Sequence, residues 1–319
     1  MNDPSAQPID VAEQRAWLKE HKIVQDLSWK QLDGRTGVNH STLSLFAGEK
    51  YAGDNGKIAE AIFRYRQTLL QQSALKVDTP DIPEYFETET SQHLIHLLGW
   101  AQRGRIVVGA LSPGLGKSIT AEHYKACNSS VFMFTATPST ASVSSMIGAV
   151  LRRLGVNVLS HKNSEATRQI MERVRDLGSP LLIVDEAQHL SDRAIDEIRS
   201  WHDATGLGIA LLGNANLLQT LEGHGRSLSR AQLFSRISLR LVRVHPLLAD
   251  VEALLDAWAI SDDKVCDLVH VIAQKPGALR VVTFALELAN MVAASNKEEL
   301  QVQHLRDAWT QLTTRGVAA

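Results

Sequence analysis

From about Pro83 to His245 short apolar runs recur: RIVVGA, VFMFTA, LLIVDE, GIALLGN and LRLVRV. Between them lie stretches with helical spacing, such as SEATRQIMERVRDL and SDRAIDEIRSWHDAT. Strands buried on both faces read as unbroken apolar runs, so this alternation predicts a parallel sheet covered by helices. Upstream, from Met1 to about Leu75, the periodicity is helical and no strand run occurs. Downstream of Pro246 the strand runs stop. ADVEALLDAWAI, DDKVCDLVHVIAQ, GALRVVTFALELANMVAAS and LQVQHLRDAWTQL there read as four amphipathic helices. The segment KVDTPDIPEYFETET, with Pro80 and Pro83, cannot continue a helix and marks a boundary. The expected fold class is α/β, with a helical domain at 1–75, a linker at 76–87, a core at 88–245 and an all-helical domain at 246–319.

Composition narrows this picture only slightly. The 319 residues are 44% hydrophobic and 21% charged, as in a soluble chain with several domains. Thirty-three basic residues against thirty-five acidic ones give a formal charge of -2, so nucleic-acid binding has to arise from local clusters. Cys127 and Cys266 lie far apart with no metal-ligand spacing, which argues against a zinc site or a disulfide scaffold. His93, His96 and His189 lack ligating neighbours and read as packing or surface residues. Neither a basic, then apolar, leader nor a run of about eighteen apolar residues occurs, so a cytoplasmic protein with no membrane partner is expected.

Candidate chemistry begins at LSPGLGKS, directly behind RIVVGA. Glycines in a loop between a buried strand and a helix let backbone N–H groups point at phosphate oxygens, and the helix N-terminus adds positive potential. Gly114 and Gly116 supply this, Lys117 can reach the β and γ phosphates, and Ser118 can place its hydroxyl on Mg²⁺. The full pattern asks for glycine at 111. On sequence grounds Leu111 displaces the start of the loop and leaves the cradle of Pro113, Gly114, Leu115, Gly116, Lys117 and Ser118 intact. Leu111→Gly is accordingly expected to raise ATP affinity or leave it unchanged. In LLIVDEAQHL, Asp185 and Glu186 end a strand and point into the same crevice, Asp185 as a Mg²⁺ ligand and Glu186 as the residue that polarises water. Asn214 ends GIALLGN. Alone it reads as a turn residue; beside the other two motifs it can orient the catalytic water.

Two features point to DNA. SWKQLDGRTGVNHSTLSLFAGEK has the spacing of a helix-turn-helix with Gly37 in the turn, although Asp33 occupies a position usually small and apolar. Its second helix has no Arg or Lys to grip a guanine, so readout of sequence is not expected. Lys30, Arg35, Asn39, His40, Lys50 and Lys57 are the DNA contacts of this reading; the alternative is a helical bundle that contacts protein only. From Gly223 to Ala249 the chain carries Arg226, Arg230, Arg236, Arg240 and Arg243 and no carboxylate, as in a phosphate track or an arginine-bearing subunit interface. Arg152 completes the set of DNA contacts.

Taken together the motifs resemble those of AAA+ ATPases, and among them the DNA-transposition ATPases typified by the B protein of bacteriophage Mu. The resemblance covers essentially the whole chain. It is carried by FETET, PGLGKS, TPS at Thr137 to Ser139, DEAQHL, LLGN, LFSRI at Leu233 to Ile237 and AQKPGALR at Ala273 to Arg280. It implies an AAA+ P-loop core with a helical lid, ATP and Mg²⁺ as cofactors, and Phe86, Thr88 and Ile119 beside the nucleotide. By the same resemblance Asn214 is sensor 1, Arg280 is sensor 2 reaching the γ-phosphate from the lid, and Arg236 is an arginine finger offered to a neighbouring subunit. The activity implied is a slow ATPase, stimulated by duplex DNA and by a DDE-type transposase. Such a protein forms a helical homo-oligomer on DNA without sequence preference, selects target DNA, delivers it to the transposase and activates that transposase. A secretion- or replication-initiator-type ATPase, and a hydrolysis-deficient DNA-coating filament protein, stand beside it as alternatives.

Overall fold

The computed structural model describes residues 9–76, 85–156, 162–222 and 235–313. Arg226 and Arg230, read above as DNA contacts, lie outside them. The chain divides into two compact units, Met1–Thr79 and Pro80–Ala319.

The first unit holds helices α1 (Val11–Val24), α2 (Trp29–Thr36), α3 (His40–Ala47) and α4 (Asn55–Lys76). Leu18, Leu32, Leu43, Phe46, Ile58 and Ile62 form its core. Ser28 starts α2 through a reciprocal capping box with Gln31. Gly37 ends it at φ 72, where a side chain would be strained. Asp33, out of place in the sequence pattern, accepts a hydrogen bond from the backbone N–H of His40 at 3.1 Å and so helps to cap α3.

The second unit is built on five parallel strands: β1 (Ile106–Leu111), β2 (Val131–Thr135), β3 (Leu181–Asp185), β4 (Gly208–Gly213) and β5 (Ile237–Arg243), in the order β2-β3-β4-β1-β5. Helices α5 (Glu89–Ala101), α6 (Lys117–Ala126), α7 (Val143–Arg153), α8 (Asn163–Arg175), α9 (Asp192–Thr205) and α10 (Ala215–Glu222) belong to the same unit. Successive strand residues point to opposite faces. Phe132, Phe134, Leu182, Val184, Ile209 and Leu211 therefore pack with α7, α8 and α9 through Ile147, Ile170, Ile198 and Trp201. Met133, Leu181, Ile183, Ala210 and Leu212 pack on the other face with Leu94, Leu98 and Ala121 of α5 and α6. Burial on both faces is why the runs read as unbroken in the sequence.

After β5 come α11 (Leu248–Ala257), α12 (Asp263–Ala273), α13 (Ala278–Ser295) and α14 (Val302–Thr313), which share a core of their own. Among the described residues α13 alone is long and apolar enough to cross a membrane, yet its Val282, Ala285, Leu286 and Ala289 are fully buried in this helical core. Asp250 ties the helices to the sheet layer. It is fully buried and accepts from Thr90 N–H at 2.8 Å, Thr90 Oγ1 at 2.6 Å and Leu247 N–H at 2.8 Å. Asp250→Ala strands two buried donors on Thr90 and a half-buried one at Leu247, so a loss of about 3 kcal/mol is expected in a denaturant or thermal melt. A variant that melts like the parent would remove Asp250 from this role.

Candidate functional site

Parallel strands bring the C-terminal ends of β1, β3 and β4 to one edge, where ligands bind in open α/β sheets. Leu111 belongs to the strand and not to the loop. It is the last residue of β1, in register with Arg243, fully buried against Leu115, Ala278 and Leu241, and its φ is not positive. Nothing there requires glycine, which overturns the expectation that Leu111 displaces the loop and that glycine would be harmless. Leu111→Gly instead removes a packed side chain and loosens a strand end. It is expected to cost about 3–5 kcal/mol of stability and to weaken ATP binding. Thermal melts and nucleotide titrations test this together; unchanged stability would refute it.

The loop that follows does need its glycines. Gly114 has φ 89, and a Cβ there would come within 1.8 Å of the Gly277 carbonyl oxygen; Gly116 has φ 78 at the start of α6. The loop is thus pressed against the N-terminus of α13, the helix that carries Arg280.

Four polar side chains converge beside it. Lys117, buried at the first position of α6, donates to Asp185 Oδ1 and, at 2.8 Å, to Glu186 Oε1. Ser118 Oγ donates to Asp185 Oδ2 at 2.6 Å, and the backbone N–H of Glu186 donates to Asp185 Oδ1 at 2.9 Å. Glu186 stands in the left-handed region at φ 54 and ψ 39 and accepts on Oε2 from Gln188 Nε2. Its burial alone would raise its pKa. Hydrogen bonds from Lys117 and Gln188, with the positive charge of Lys117 and His189, outweigh that and hold the carboxyl below its ordinary range.

Two carboxylates against one ammonium leave the cluster with excess negative charge. A hydroxyl and a carboxylate in contact offer hard oxygen donors of the kind Mg²⁺ takes together with phosphates. Among the described residues no group of three or more His, Cys, Asp or Glu side chains could hold a metal by itself. The donor set therefore fits an ion that arrives with its phosphates.

The cluster opens into a cavity of about 400 Å³. Of the residues predicted to touch nucleotide, Phe86, Thr88, Pro113, Gly114, Leu115, Gly116, Lys117, Ser118, Ile119, Glu186, Asn214 and Arg280 line it. Thr88 is also the cap of α5, accepting from Ser91 N–H at 3.0 Å. Asn214 Oδ1 accepts from the Asn216 N–H at 2.9 Å, so the turn role and the place in the cavity wall belong to the same residue. Tyr85, Thr283 and Phe284 also line the cavity and were missed in the sequence. Phe284 is 49% exposed and Ile119 56%, apolar surfaces on which a flat base can stack. Phe284 falls one helical turn after Arg280, the spacing that could have found it.

Arg236 is not brought to the cavity. It precedes β5, whose Ile237 pairs with Ile106 at the far end of the strands, and its Nε donates to Asp203 Oδ1 at 2.9 Å. Arg240 and Arg243 lie on β5 at the sheet edge, and Arg152 is exposed in the last turn of α7. In the first unit Lys30, Arg35, Lys50 and Lys57 are exposed. Asn39 Oδ1 caps α3 at the Ser41 N–H, and His40 Nδ1 lies 3.4 Å from Asp33 Oδ2, so both have local partners.

The chain is similar to known proteins in family and fold. Residues 102–221 match a model of the AAA domain and residues 235–312 a model described as Mu B transposition protein, C terminal. The chain is 32% identical over 305 residues to the ATP-dependent target DNA activator B of Escherichia phage Mu, covering 95% of this chain and 96% of that protein. It is 27% identical over 270 residues to the Mu-like prophage FluMu DNA transposition protein B of Haemophilus influenzae, covering 83% and 92% of the two chains. The crystal structure of Cdc6p from Pyrobaculum aerophilum is similar at a TM-score of 0.56 and 18% identity, over 75% of this chain and 71% of that one. The Aeropyrum pernix ORC2 protein is similar at 0.55 and 13%, over 72% and 68%. At such identities the solved structures speak for the fold alone.

Proposed function

From the premise that the chain belongs to the Mu B family of AAA ATPases, we propose that it is the DNA-handling ATPase of a transposition system, which captures target DNA and presents it to a transposase. The carrying observation is the convergence of Lys117, Ser118, Asp185 and Glu186 on a cavity closed by Arg280 of the helical lid. In this reading residues 1–75 and the arginines of β5 meet DNA, 88–245 hold the nucleotide and 246–319 form the lid.

ATP is the substrate, and its phosphates take the place beside the loop. Lys117 turns from the carboxylates to the β and γ phosphates. A bound Mg²⁺, held through Ser118 and Asp185, would neutralise charge on those phosphates. Glu186 then takes the proton of the attacking water, Asn214 orients that water and Arg280 answers charge at the γ-phosphate from the lid. Exposed cations without base-reading partners fit a DNA contact made through phosphates, without sequence preference. Subunits assemble as a helical filament on duplex DNA in the host cytoplasm, with ATP between neighbours and Arg236 acting across that boundary. The test is ATP turnover with and without duplex DNA, alongside DNA retention. Turnover that rises with DNA of any sequence supports the reading. Turnover indifferent to DNA, with no DNA retained, would return the chain to a relative that shares only the core.

A further inference from the structure

Gln188 lies on the short 3-10 turn Ala187–His189 that follows β3 and the DE pair. Its Nε2 donates to Oε2 of Glu186, the oxygen that Lys117 leaves untouched. Its Oε1 is buried and has no hydrogen-bond partner among the described residues. That oxygen rests against Gly213, the last residue of β4: a Cβ there would come within 2.3 Å of it. The φ of Gly213 is not positive, so its backbone does not call for glycine. The space does, because the amide of Gln188 occupies it, with Leu217 at 3.0 Å behind. Asn214 follows immediately.

We propose that Gln188 is a positioning residue for hydrolysis: wedged between Glu186 and the bare backbone of Gly213, it fixes the carboxylate by Oε2 and leaves Oε1 for the attacking water. This rests on the reading of Glu186 as the water-activating residue. Before nucleotide arrives both oxygens are engaged, Oε1 by Lys117 and Oε2 by Gln188. When Lys117 turns to the phosphates only Oε1 is released, so the carboxylate does not rotate freely. The water oxygen bonds to the γ-phosphorus, the bond from that phosphorus to the oxygen of the departing ADP breaks, and the water's proton passes to Oε1. Gln188 neither gives nor takes a proton. Its contribution is orientation, since small misplacements of a reacting group cost rate steeply. A buried acceptor left without a donor is uncommon in folded proteins, and its retention beside Glu186 indicates that the amide is held there for its other end.

The experiment compares Gln188→Ala, Gln188→Met, Gly213→Ala and the double variant Gln188→Ala/Gly213→Ala by three readouts: affinity for a fluorescent ATP analogue, turnover at saturating ATP, and melting of the nucleotide-free protein. Gln188→Ala should lower kcat by about ten- to a hundredfold, the usual cost of losing a residue that orients a reacting side chain, with nucleotide affinity unchanged. Gln188→Met, which keeps the volume and loses the donor, should fall equally. Gly213→Ala should lower both kcat and the melting temperature by pushing the amide off Glu186. In the Gln188→Ala background the closest clash is gone and only Leu217, at 3.0 Å, has to give, so it should add no further loss of kcat and a smaller loss of melting temperature. Full turnover in Gln188→Met would reduce Gln188 to a space filler, and faster turnover in Gln188→Ala would make it a restraint; either overturns the proposal. Glu186→Gln tests the premise separately, since turnover at the parent rate there removes the water-activating role whatever Gln188 does.

Discussion

Lys117→Ala is expected to abolish ATP binding, and Glu186→Gln to keep binding while stopping hydrolysis. Lys117 is the only cation on the loop between β1 and α6, and it is buried at 7% exposure between two carboxylates. Its removal does two things. The β and γ phosphates lose their counter-charge, and Asp185 and Glu186 are left as uncompensated negative groups facing the same phosphates, so the site becomes repulsive. A fall in affinity of about a hundredfold or more follows from two such effects acting together. Glu186→Gln leaves the Lys117–Asp185–Ser118 contacts standing and still offers an amide oxygen to Lys117. What it removes is the proton acceptor, worth about a hundred- to ten-thousandfold in rate. Equilibrium binding of an ATP analogue and single-turnover hydrolysis separate the two. Glu186→Gln turning over at the parent rate would refute its assignment, and a Lys117→Ala protein with near-parent affinity would move the phosphate site elsewhere.

Strands β1 to β4 were legible because they are buried on both faces, and such strands announce themselves as unbroken apolar runs; β5, exposed at the sheet edge, read as a run broken by arginines. Lys117, Ser118, Asp185 and Glu186 were legible for a related reason: each sits within a residue or two of a strand end or helix start that the same runs define. Leu111 was misread because a motif counts positions along one segment. Whether residue 111 is loop or strand depends on its pairing with Arg243, more than a hundred residues on, and on Ala278 packing above it. Asn39 and His40, read as DNA contacts, also cap α3 and partner Asp33, local roles that arise only once the turn at Gly37 is made. Gln188 stood in the motif DEAQHL without being singled out. Its place follows from the missing side chain of Gly213 on another strand, a coincidence in space that no spacing rule encodes. The residues that converge beside the loop were thus readable locally, and the neighbours packed against them were not.

Mixing two inactive variants, Arg236→Ala and Glu186→Gln, should restore part of the turnover that each lacks alone. Arg236 stands at the Ile106 end of the sheet, on Asp203, and takes no part in the cavity of its own chain. In the proposed assembly such a guanidinium would meet nucleotide in another subunit, exchanging its present partners, Asp203 among them, for a phosphate. The interface required is head-to-tail, in which one subunit offers its loop and the next its finger. Arg236→Ala keeps the loop and Glu186; Glu186→Gln keeps the finger and still binds ATP, so both can enter the same assembly. In a random equal mixture about one quarter of such interfaces join an intact site to an intact finger. An arginine finger is worth on the order of a thousandfold or more in turnover, so even that fraction lifts activity far above either variant alone. The measurement is ATP turnover on duplex DNA at fixed total protein as the mixing ratio varies, which should pass through a maximum near equal amounts. A flat response with assembly on DNA intact would take the role from Arg236 and pass it to another arginine of the same run, Arg230 first.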